Sequence, residues 1–255
     1  MKKLTVLIPC HNEEAGIGLV MDNIPVQLLR HLGYRTNVVV IDNNSKDKTA
    51  EVALSKGAKV IEEPSKGKGN ALISGFKYVN GNSDYIVVID GDNTYKAKEI
   101  PRLIEPLESG FCDVIAGSRL GGKIMHDSFD FPHRFINWIC AFFVRQFYKA
   151  NITDALTGFI AFKSGVVKIL IPNLSSTNFT IEMEMMTKLR RLGFNIYSVP
   201  ITYDRRKGKS KIHPYKDGLQ ILLMFISNLR WKPIRKRRKS QIFKNGSKTF
   251  LIFRI

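Results

Sequence analysis

Short apolar runs alternate with stretches of helical periodicity along the first half of the chain. Runs rich in β-branched residues predict strands at residues 4–9, 37–42, 59–61, 85–90 and 113–116. Helical spacing predicts helices at residues 13–32, 48–56, 69–79 and 97–108, with glycines in good positions to end them. This alternation predicts an α/β fold with a mostly parallel central sheet.

The pattern changes after Ser118, where the glycine-rich segment SRLGGKIMHDSFD predicts a loop. Further on, the pattern predicts a helix at residues 132–149, a helix at 181–192 and a strand at 195–200. A basic loop, YDRRKGKSKIHP, then precedes an apolar helix at residues 216–229. The helix at 132–149 carries an aromatic stripe, which we expect to be buried against the sheet, a lipid groove being the alternative. Its members are Phe135, Trp138, Phe142, Phe143 and Phe147.

The chain of 255 residues has 40 Lys and Arg against 22 Asp and Glu, a formal charge of +18. This excess favours anionic partners such as nucleotides, phospholipids or nucleic acid. The three cysteines lie far apart in apolar runs, which is typical of a reducing compartment and not of a disulfide framework. The first apolar run is too short for a signal peptide, and no apolar stretch approaches the roughly 20 residues of a membrane-spanning helix. We therefore expect neither secretion nor a transmembrane span.

Polar residues follow three of the predicted strands, at the edge where open parallel sheets bind ligands. The most specific candidate site among them is Asp90, Gly91 and Asp92, because two carboxylates one residue apart can bind a Mg²⁺ or Mn²⁺ ion together with a diphosphate. Turn capping is the alternative role for such a pair. Their position at the ligand edge favours the metal.

A second candidate is the segment Ser65-Lys66-Gly67-Lys68-Gly69, which opens a predicted helix. Free N–H groups at a helix start, together with two lysines, can cradle a phosphate. The segment lacks the spacing of a Walker A loop, so a solvated lysine turn remains the alternative.

Seven motifs occur in an order that resembles the inverting glycosyltransferases of family 2, and among them the polyprenyl (dolichyl) phosphate sugar synthases. They are VLIPCHNEE (6–14), VIDNNSKDKT (40–49), GKGNAL (67–72), VIDGDNTY (88–95), GSR (117–119), TDALTGF (153–159) and RRKGKSK (205–211). The resemblance implies a GT-A fold, a three-layer α/β/α sandwich. It also implies a nucleotide-sugar-binding half at residues 1–117 and an acceptor half at 118–215. The apolar pattern and the basic charge predict an amphipathic helix and a basic tail at 216–255.

The resemblance also assigns roles to individual residues. Pro9, Asn12, Glu13 and Asp42 look like the nucleoside pocket, and Lys68 lies in the motif near the nucleotide. Asp90 and Asp92, with Gly91 between them, resemble the pair that holds the metal and the donor diphosphate. The residues expected to grip the acceptor phosphate and the leaving group are Arg119, Arg134, Arg205, Ser210 and Lys211.

The chain departs from the family pattern at two positions. Thr94 replaces a glutamine that can join the metal shell, and Asn43 replaces the second residue of an Asp-Asp pair, which leaves the base and the sugar open. Asp154 and Glu182 are candidates for a catalytic base or for orienting the acceptor, with helix capping or dipole chemistry as the alternative.

The resemblance implies transfer of a hexose from UDP-hexose or GDP-hexose to polyprenyl or dolichyl phosphate with a divalent cation. The C-terminal stretch from Arg230 holds only basic charges and is expected to bind an anionic membrane surface, so we expect a peripheral enzyme on the cytoplasmic side. A solvated tail is the alternative for that stretch. Nucleic acid is not expected, because no recognition motif accompanies the charge. The alternative functions are a family 2 transferase with a saccharide or protein acceptor, and a nonenzymatic nucleotide- or nucleic-acid-binding relic.

Overall fold

The structure is a computed structural model that describes residues 1–125, 128–208 and 214–234. Within these ranges a seven-stranded sheet has the order β3-β2-β1-β4-β6-β5-β7. The strands are β1 (Lys2–Cys10), β2 (Tyr34–Asp42), β3 (Lys59–Glu62), β4 (Tyr85–Val88), β5 (Val114–Ile124), β6 (Ile160–Lys163) and β7 (Ile196–Tyr203). β6 is antiparallel to both its neighbours, and the other neighbouring pairs are parallel.

Helices cover both faces of the sheet. In the described residues they are α1 (Glu14–Asp22), α2 (Val26–His31), α3 (Thr49–Ser55), α4 (Lys68–Val79), α5 (Ile100–Glu108), α6 (Phe131–Tyr148), α7 (Ser164–Leu170), α8 (Ile181–Arg191) and α9 (Pro214–Arg230). Apolar residues of α1, α2, α3 and α5 pack on one face, and those of α4, α6, α7, α8 and α9 pack on the other. The predicted α/β/α sandwich with a mostly parallel sheet is therefore confirmed. None of these helices combines the length and the hydropathy that crossing a bilayer requires.

The central strands are buried on both faces, which explains their continuous apolar runs. In β1, Val6 and Ile8 point into the core beneath α1, while Leu7 points into the core beneath α4. All three side chains are fully buried. Because the consecutive positions Val6, Leu7 and Ile8 are all apolar, the sequence shows a run rather than an alternation, and the run marks the strand.

The predicted helix at residues 13–32 is wrong in one respect, because the chain forms two helices there, α1 and α2. Pro25 stands just before α2 and is the physical reason for the break. Proline has no N–H to donate to the preceding turn, and its ring disfavours helical geometry at Ile24.

The first part of the glycine-rich segment, from Ser118 to Ile124, is a strand and not the predicted loop, and residues 126–127 of the segment lie outside the described residues. β5 continues through it to Ile124 and pairs with β7, with a register shift between Ser118 and Lys123. A Cβ on Gly122 would lie 1.9 Å from the carbonyl oxygen of Ile201, so the glycine permits close approach of the two strands. The missed strand β6 lies within the TDALTGFIAFK segment and closes the gap between β4 and β5.

The aromatic stripe of α6 is exposed, and the expectation that it is buried is wrong. Smaller or more polar positions of α6 face the core, namely Asn137, Ala141, Val144 and Tyr148. Phe143 and Phe147 contact Phe225 of α9, and α9 exposes leucine and isoleucine beside them. We call the resulting surface the α6/α9 apolar face. Its members are Phe131, Phe135, Trp138, Phe142, Phe143, Phe147, Leu219, Leu222, Leu223 and Ile226.

Candidate active site

A cavity opens where the loops after β1, β2 and β4 meet, since these three strands are neighbours in the sheet. The structure thus brings the polar residues that follow three strands to one edge. The predicted residues that line the cavity are Pro9, Glu13, Lys68, Asp90, Gly91 and Asp92. Other residues in its wall include His11, Asn43, Lys66, Phe179 and Arg206.

One side of the cavity is an ion-paired group centred on Lys68, the first residue of α4. Its Nζ lies 2.7 Å from Asp90 Oδ1 and 2.7 Å from Glu182 Oε1. Burial alone would lower the pKa of Lys68, but the two carboxylates outweigh burial and raise it. Burial also raises the pKa of Glu182, which Lys68 only partly offsets. Lys68 is therefore held cationic beside Asp90, and the contact of Glu182 is with this lysine.

The other side of the cavity is a second ion-paired group, centred on Arg206. Its NH2 atom lies 2.6 Å from Asp92 Oδ2, and its NH1 atom lies 3.6 Å from Glu13 Oε1. The second oxygen of Asp92 accepts hydrogen bonds from the backbone N–H and the hydroxyl of Thr94, at 3.0 and 2.6 Å. Thr94, where the family can place a glutamine, therefore fixes the rotamer of Asp92.

These two groups place four carboxylates against two cationic side chains, an excess of two negative charges. Asp90 and Asp92 offer the hard oxygen ligands that Mg²⁺ and Mn²⁺ take. No group of three or more His, Cys, Asp or Glu side chains in the described residues could hold a metal ion. The site fits a cation that takes the rest of its shell from substrate phosphate and water, as Mg²⁺ commonly does.

Asp42, at the carboxyl end of β2, has an unsatisfied acceptor. The residue is only 8% exposed, and its buried Oδ1 has no hydrogen-bond partner among the described residues. Buried polar atoms are nearly always paired, so such an oxygen suits an N–H or O–H of a ligand. Asn12, predicted beside Asp42, instead supports the neighbouring loop. Its Oδ1 accepts from the N–H of Lys46, at 2.7 Å.

Asn43 holds the loop that carries the lysines. Its Nδ2 donates to the carbonyls of Glu63 and Ser65, at 3.0 and 2.7 Å, and its Oδ1 accepts from Gly67 N–H at 2.6 Å. An aspartate could not donate either of the first two bonds. Asn43, which replaces the second aspartate of the Asp-Asp pair, thus holds in place the segment that leads into Lys68.

The basic segment after β7 lies across the loop that follows β4. The N–H of Asp204 donates to Thr94 O, and the N–H of Lys207 donates to Asp92 O, both at 2.9 Å. On this segment Arg205, the predicted acceptor-binding arginine, is exposed, whereas its neighbour Arg206 enters the cavity. The predicted residues Ser210 and Lys211 lie outside the described residues.

Arg119 and Asp154 form a buried pair that does not line the cavity but interacts with Tyr203, which also interacts with Asp92. Asp154 is fully buried, and its Oδ2 accepts from Arg119 Nε at 2.7 Å while its Oδ1 accepts from Arg119 NH2 at 2.9 Å. Asn137 Nδ2 also donates to Oδ1, at 2.7 Å. Burial alone would raise the pKa of Asp154, but Arg119 outweighs it and the pKa is lowered. A carboxylate with a lowered pKa and saturated oxygens is a poor base.

Arg119 is also enclosed by aromatic rings. Its guanidinium carbon lies 4.7 Å from the ring centre of Phe129 and 5.4 Å from that of Tyr203. Phe129 lies two residues before Phe131, the first residue of α6, so this arginine is close in the chain to the start of the α6/α9 apolar face. Arg134 lies in the first turn of α6 with its side chain exposed.

Sequence reasoning missed Arg206 and Asn137. The signal for Arg206 was the Arg-Arg pair itself, but a pattern cannot tell which of two adjacent arginines points inward. Asn137 lies among the aromatic residues of α6, and a single amide that faces the core does not alter the periodic pattern from which its role could have been predicted.

Strand-end carboxylates facing a basic cluster, on a mixed sheet covered by two helical layers, are the arrangement that the resemblance to GT-A glycosyltransferases implies. Residues 5–169 match glycosyl transferase family 2, and the chain belongs to that family.

Two curated relatives extend the likeness beyond the matched residues. The chain is 33% identical over 226 residues to the low-salt glycan biosynthesis hexosyltransferase Agl6 of Haloferax volcanii, covering 88% of this chain and 53% of that protein. It is 28% identical over 250 residues to the undecaprenyl-phosphate mannosyltransferase of Micrococcus luteus, covering 93% of this chain and 99% of that protein. The chain thus spans about half the length of the first relative and nearly all of the second.

Solved structures share the fold. The glucosyl-3-phosphoglycerate synthase of Mycobacterium tuberculosis, in complex with Mn²⁺, UDP-glucose and glycerol 3-phosphate, superposes with a TM-score of 0.67 at 21% identity. The match covers 89% of this chain and 80% of the synthase chain. At this identity the comparison supports the GT-A fold alone.

Proposed function

We propose that this protein transfers a hexose from UDP-hexose or GDP-hexose to a polyprenyl phosphate at a membrane surface. The observation that carries the proposal is the adjacency of two features. The buried Arg119 and the Asp90 and Asp92 carboxylates of the cavity all interact with Tyr203, and Phe129, the second ring against Arg119, lies two residues before α6 of the α6/α9 apolar face. A substrate with a phosphate head and an apolar tail could place its phosphate at Arg119 and its tail on the α6/α9 apolar face. The relative that is named an undecaprenyl-phosphate mannosyltransferase supports the same acceptor class.

The donor would occupy the cavity at the carboxyl ends of β1, β2 and β4. Asp42, with its unsatisfied oxygen, would accept a hydrogen bond from the base or ribose, and Pro9 and Glu13 would line the nucleoside side. Asp90 and Asp92 would hold a Mg²⁺ or Mn²⁺ ion together with the diphosphate. When bound, that cation offsets the charge that develops on the leaving nucleoside diphosphate. Lys68 adds a fixed positive charge beside the same phosphates.

The acceptor needs orientation more than it needs a base. A phosphate monoester is largely ionised at neutral pH, since its second pKa is about 6. Its oxygen attacks the anomeric carbon, the bond from that carbon to the diphosphate oxygen breaks, and the configuration inverts. In this scheme Asp154 keeps Arg119 in place, and Arg134, Arg205, Ser210 and Lys211 are the further acceptor-binding residues that we propose.

The α6/α9 apolar face would rest in the membrane interface. Its ten large apolar side chains are exposed, and neighbouring aromatic rings of α6 stack at 6.0 to 6.2 Å. α6 contains no acidic residue, and in α9 the one acidic residue, Asp217, is buried. Apolar insertion combined with basic residues favours an anionic lipid surface. We therefore propose a peripheral enzyme on the cytoplasmic side of a membrane.

The test is a donor screen. Purified protein with Mn²⁺ or Mg²⁺ and a polyprenyl phosphate is incubated with each UDP-hexose and GDP-hexose in turn. Released nucleoside diphosphate and sugar in the organic phase are measured in parallel. One donor should give equal amounts of both, and Asp92→Ala should give neither. Release without lipid-linked sugar would favour a saccharide or protein acceptor. If no donor gives either product, the alternative of a nonenzymatic nucleotide- or nucleic-acid-binding protein is favoured.

A further inference from the structure

The resemblance gives Arg206 no role. Within the motif RRKGKSK (205–211) it assigns Arg205, Ser210 and Lys211 to the acceptor and leaves Arg206 without an assignment. In the structure it is nevertheless Arg206 whose guanidinium enters the cavity.

Those contacts close off Asp92. Thr94 donates two hydrogen bonds to Oδ1 of Asp92, and the NH2 atom of Arg206 lies 2.6 Å from Oδ2. The side chain of Asp92 is 2% exposed, whereas that of Arg206 is 26% exposed. The arginine thus covers the carboxylate from the solvent side, and both oxygens of the carboxylate are already engaged.

A divalent cation bound by Asp92 would compete with Arg206. Oδ2, the oxygen that Thr94 does not contact, faces the guanidinium, and two positive charges on one carboxylate repel strongly where that side chain is only 2% exposed. The positive charge of Arg206 therefore already neutralises the carboxylate of Asp92, which a bound metal ion would otherwise do. A cation can bind strongly only when this arginine moves.

The backbone allows such a movement without rebuilding the loop. The segment is tied to the Asp92 loop by main-chain bonds, from Asp204 N–H to Thr94 O and from Lys207 N–H to Asp92 O. The Arg206 side chain can turn about its own bonds while these anchors persist. A planar guanidinium that leaves a carboxylate finds an equivalent bidentate partner in a phosphate.

We propose that Arg206 is a positioning residue that pairs with Asp92 in the donor-free protein and transfers to the donor diphosphate when cation and donor bind together. The proposal rests on the proposed function, since it takes the donor to be a nucleotide sugar. Its consequence is that the cation binds weakly alone and strongly with the nucleotide. Arg206 thereby opposes occupation of the site by a cation without its substrate.

The test measures Mn²⁺ binding by calorimetry or electron paramagnetic resonance, with Arg206→Gln and without any turnover. Removing the competing charge should tighten Mn²⁺ binding to the nucleotide-free protein about tenfold or more. The same change should weaken UDP or GDP binding at saturating Mn²⁺ by about tenfold, because the diphosphate loses a bidentate partner. The two effects have opposite signs, which a loosened or partly unfolded site would not produce.

Lys207→Gln is the matched control. It removes the same charge from the next residue, whose side chain is exposed and whose backbone bond to Asp92 is retained. Both affinities should stay near wild type in this variant. Unchanged or weaker Mn²⁺ binding in Arg206→Gln would overturn the inference while leaving the transferase proposal intact. Absence of Mn²⁺ binding to wild-type protein even with UDP or GDP would instead refute the metal site, and the inference with it.

Discussion

Removal of one aromatic ring from the α6/α9 apolar face should weaken membrane binding by a calculable amount. Trp138 is 52% exposed. A tryptophan presents up to about 250 Å², so ~130 Å² of it could leave water in the membrane interface. At roughly 25 cal/mol per Å², Trp138→Ser should cost at most about 3 kcal/mol of binding, or about 100-fold in vesicle partitioning. Stability should change little, because this ring lies outside the core.

The assay is flotation with lipid vesicles, with and without anionic phosphatidylglycerol, over a series of salt concentrations. Phe111→Ser is the control, because Phe111 is 61% exposed but lies between α5 and β5, outside the α6/α9 apolar face. Wild-type protein should float most with anionic vesicles at low salt, Trp138→Ser should float markedly less, and Phe111→Ser should behave as wild type. Equal flotation of the two variants would refute the assignment of this face to the membrane.

Other predictions concern the cavity and its supports. Gly158→Ala would place a Cβ 2.4 Å from Asp90 Oδ2, so the affinity for Mn²⁺ should fall at least tenfold when it is measured by calorimetry with UDP or GDP present. Gly165 has open space around it, so the control Gly165→Ala should bind Mn²⁺ as the wild type does. Asn43→Asp should destabilise the protein by about 1–3 kcal/mol in urea denaturation, because two loop carbonyls lose their donors; an unchanged urea midpoint would contradict that role. Asp154→Asn should cost about 3 kcal/mol or more at pH 7. Because the pKa of Asp154 is lowered in the folded protein, its stabilisation is present above about pH 4 and is lost as the pH falls through the folded pKa, so the cost of Asp154→Asn should shrink in acid; a pH-independent difference would contradict this.

The strands that position the site were predictable because they are buried on both faces. In the sequence, β1, β2 and β4 are each an apolar run that ends at a polar residue. Because neighbouring parallel strands end at the same edge of an α/β sheet, these polar residues come together there. β6 is no shorter than β3 or β4, which were predicted; it was missed because its antiparallel pairing depends on the gap between β4 and β5. Such a partner is set by tertiary contacts and not by local pattern.

Side-chain direction was the least predictable feature of the site. α6 is apolar on two sides, and the spacing of its large rings pointed to the core, whereas the core takes Ala141 and Val144 and leaves the rings outside. Likewise Arg205 and Arg206 are chemically equal in sequence. Which of them reaches Asp92 depends on main-chain bonds between two loops far apart in the chain.

The most direct test of the account compares acceptors with the donor that the screen identifies. Polyprenyl phosphate, the corresponding polyprenol without phosphate, and free sugars are offered to the same protein preparation, and the products are analysed by mass spectrometry. The account predicts that a hexose becomes attached only to polyprenyl phosphate, through a phosphodiester whose anomeric configuration is inverted relative to the donor. Transfer to polyprenol or to free sugars at an equal rate, or retention of configuration, would contradict it.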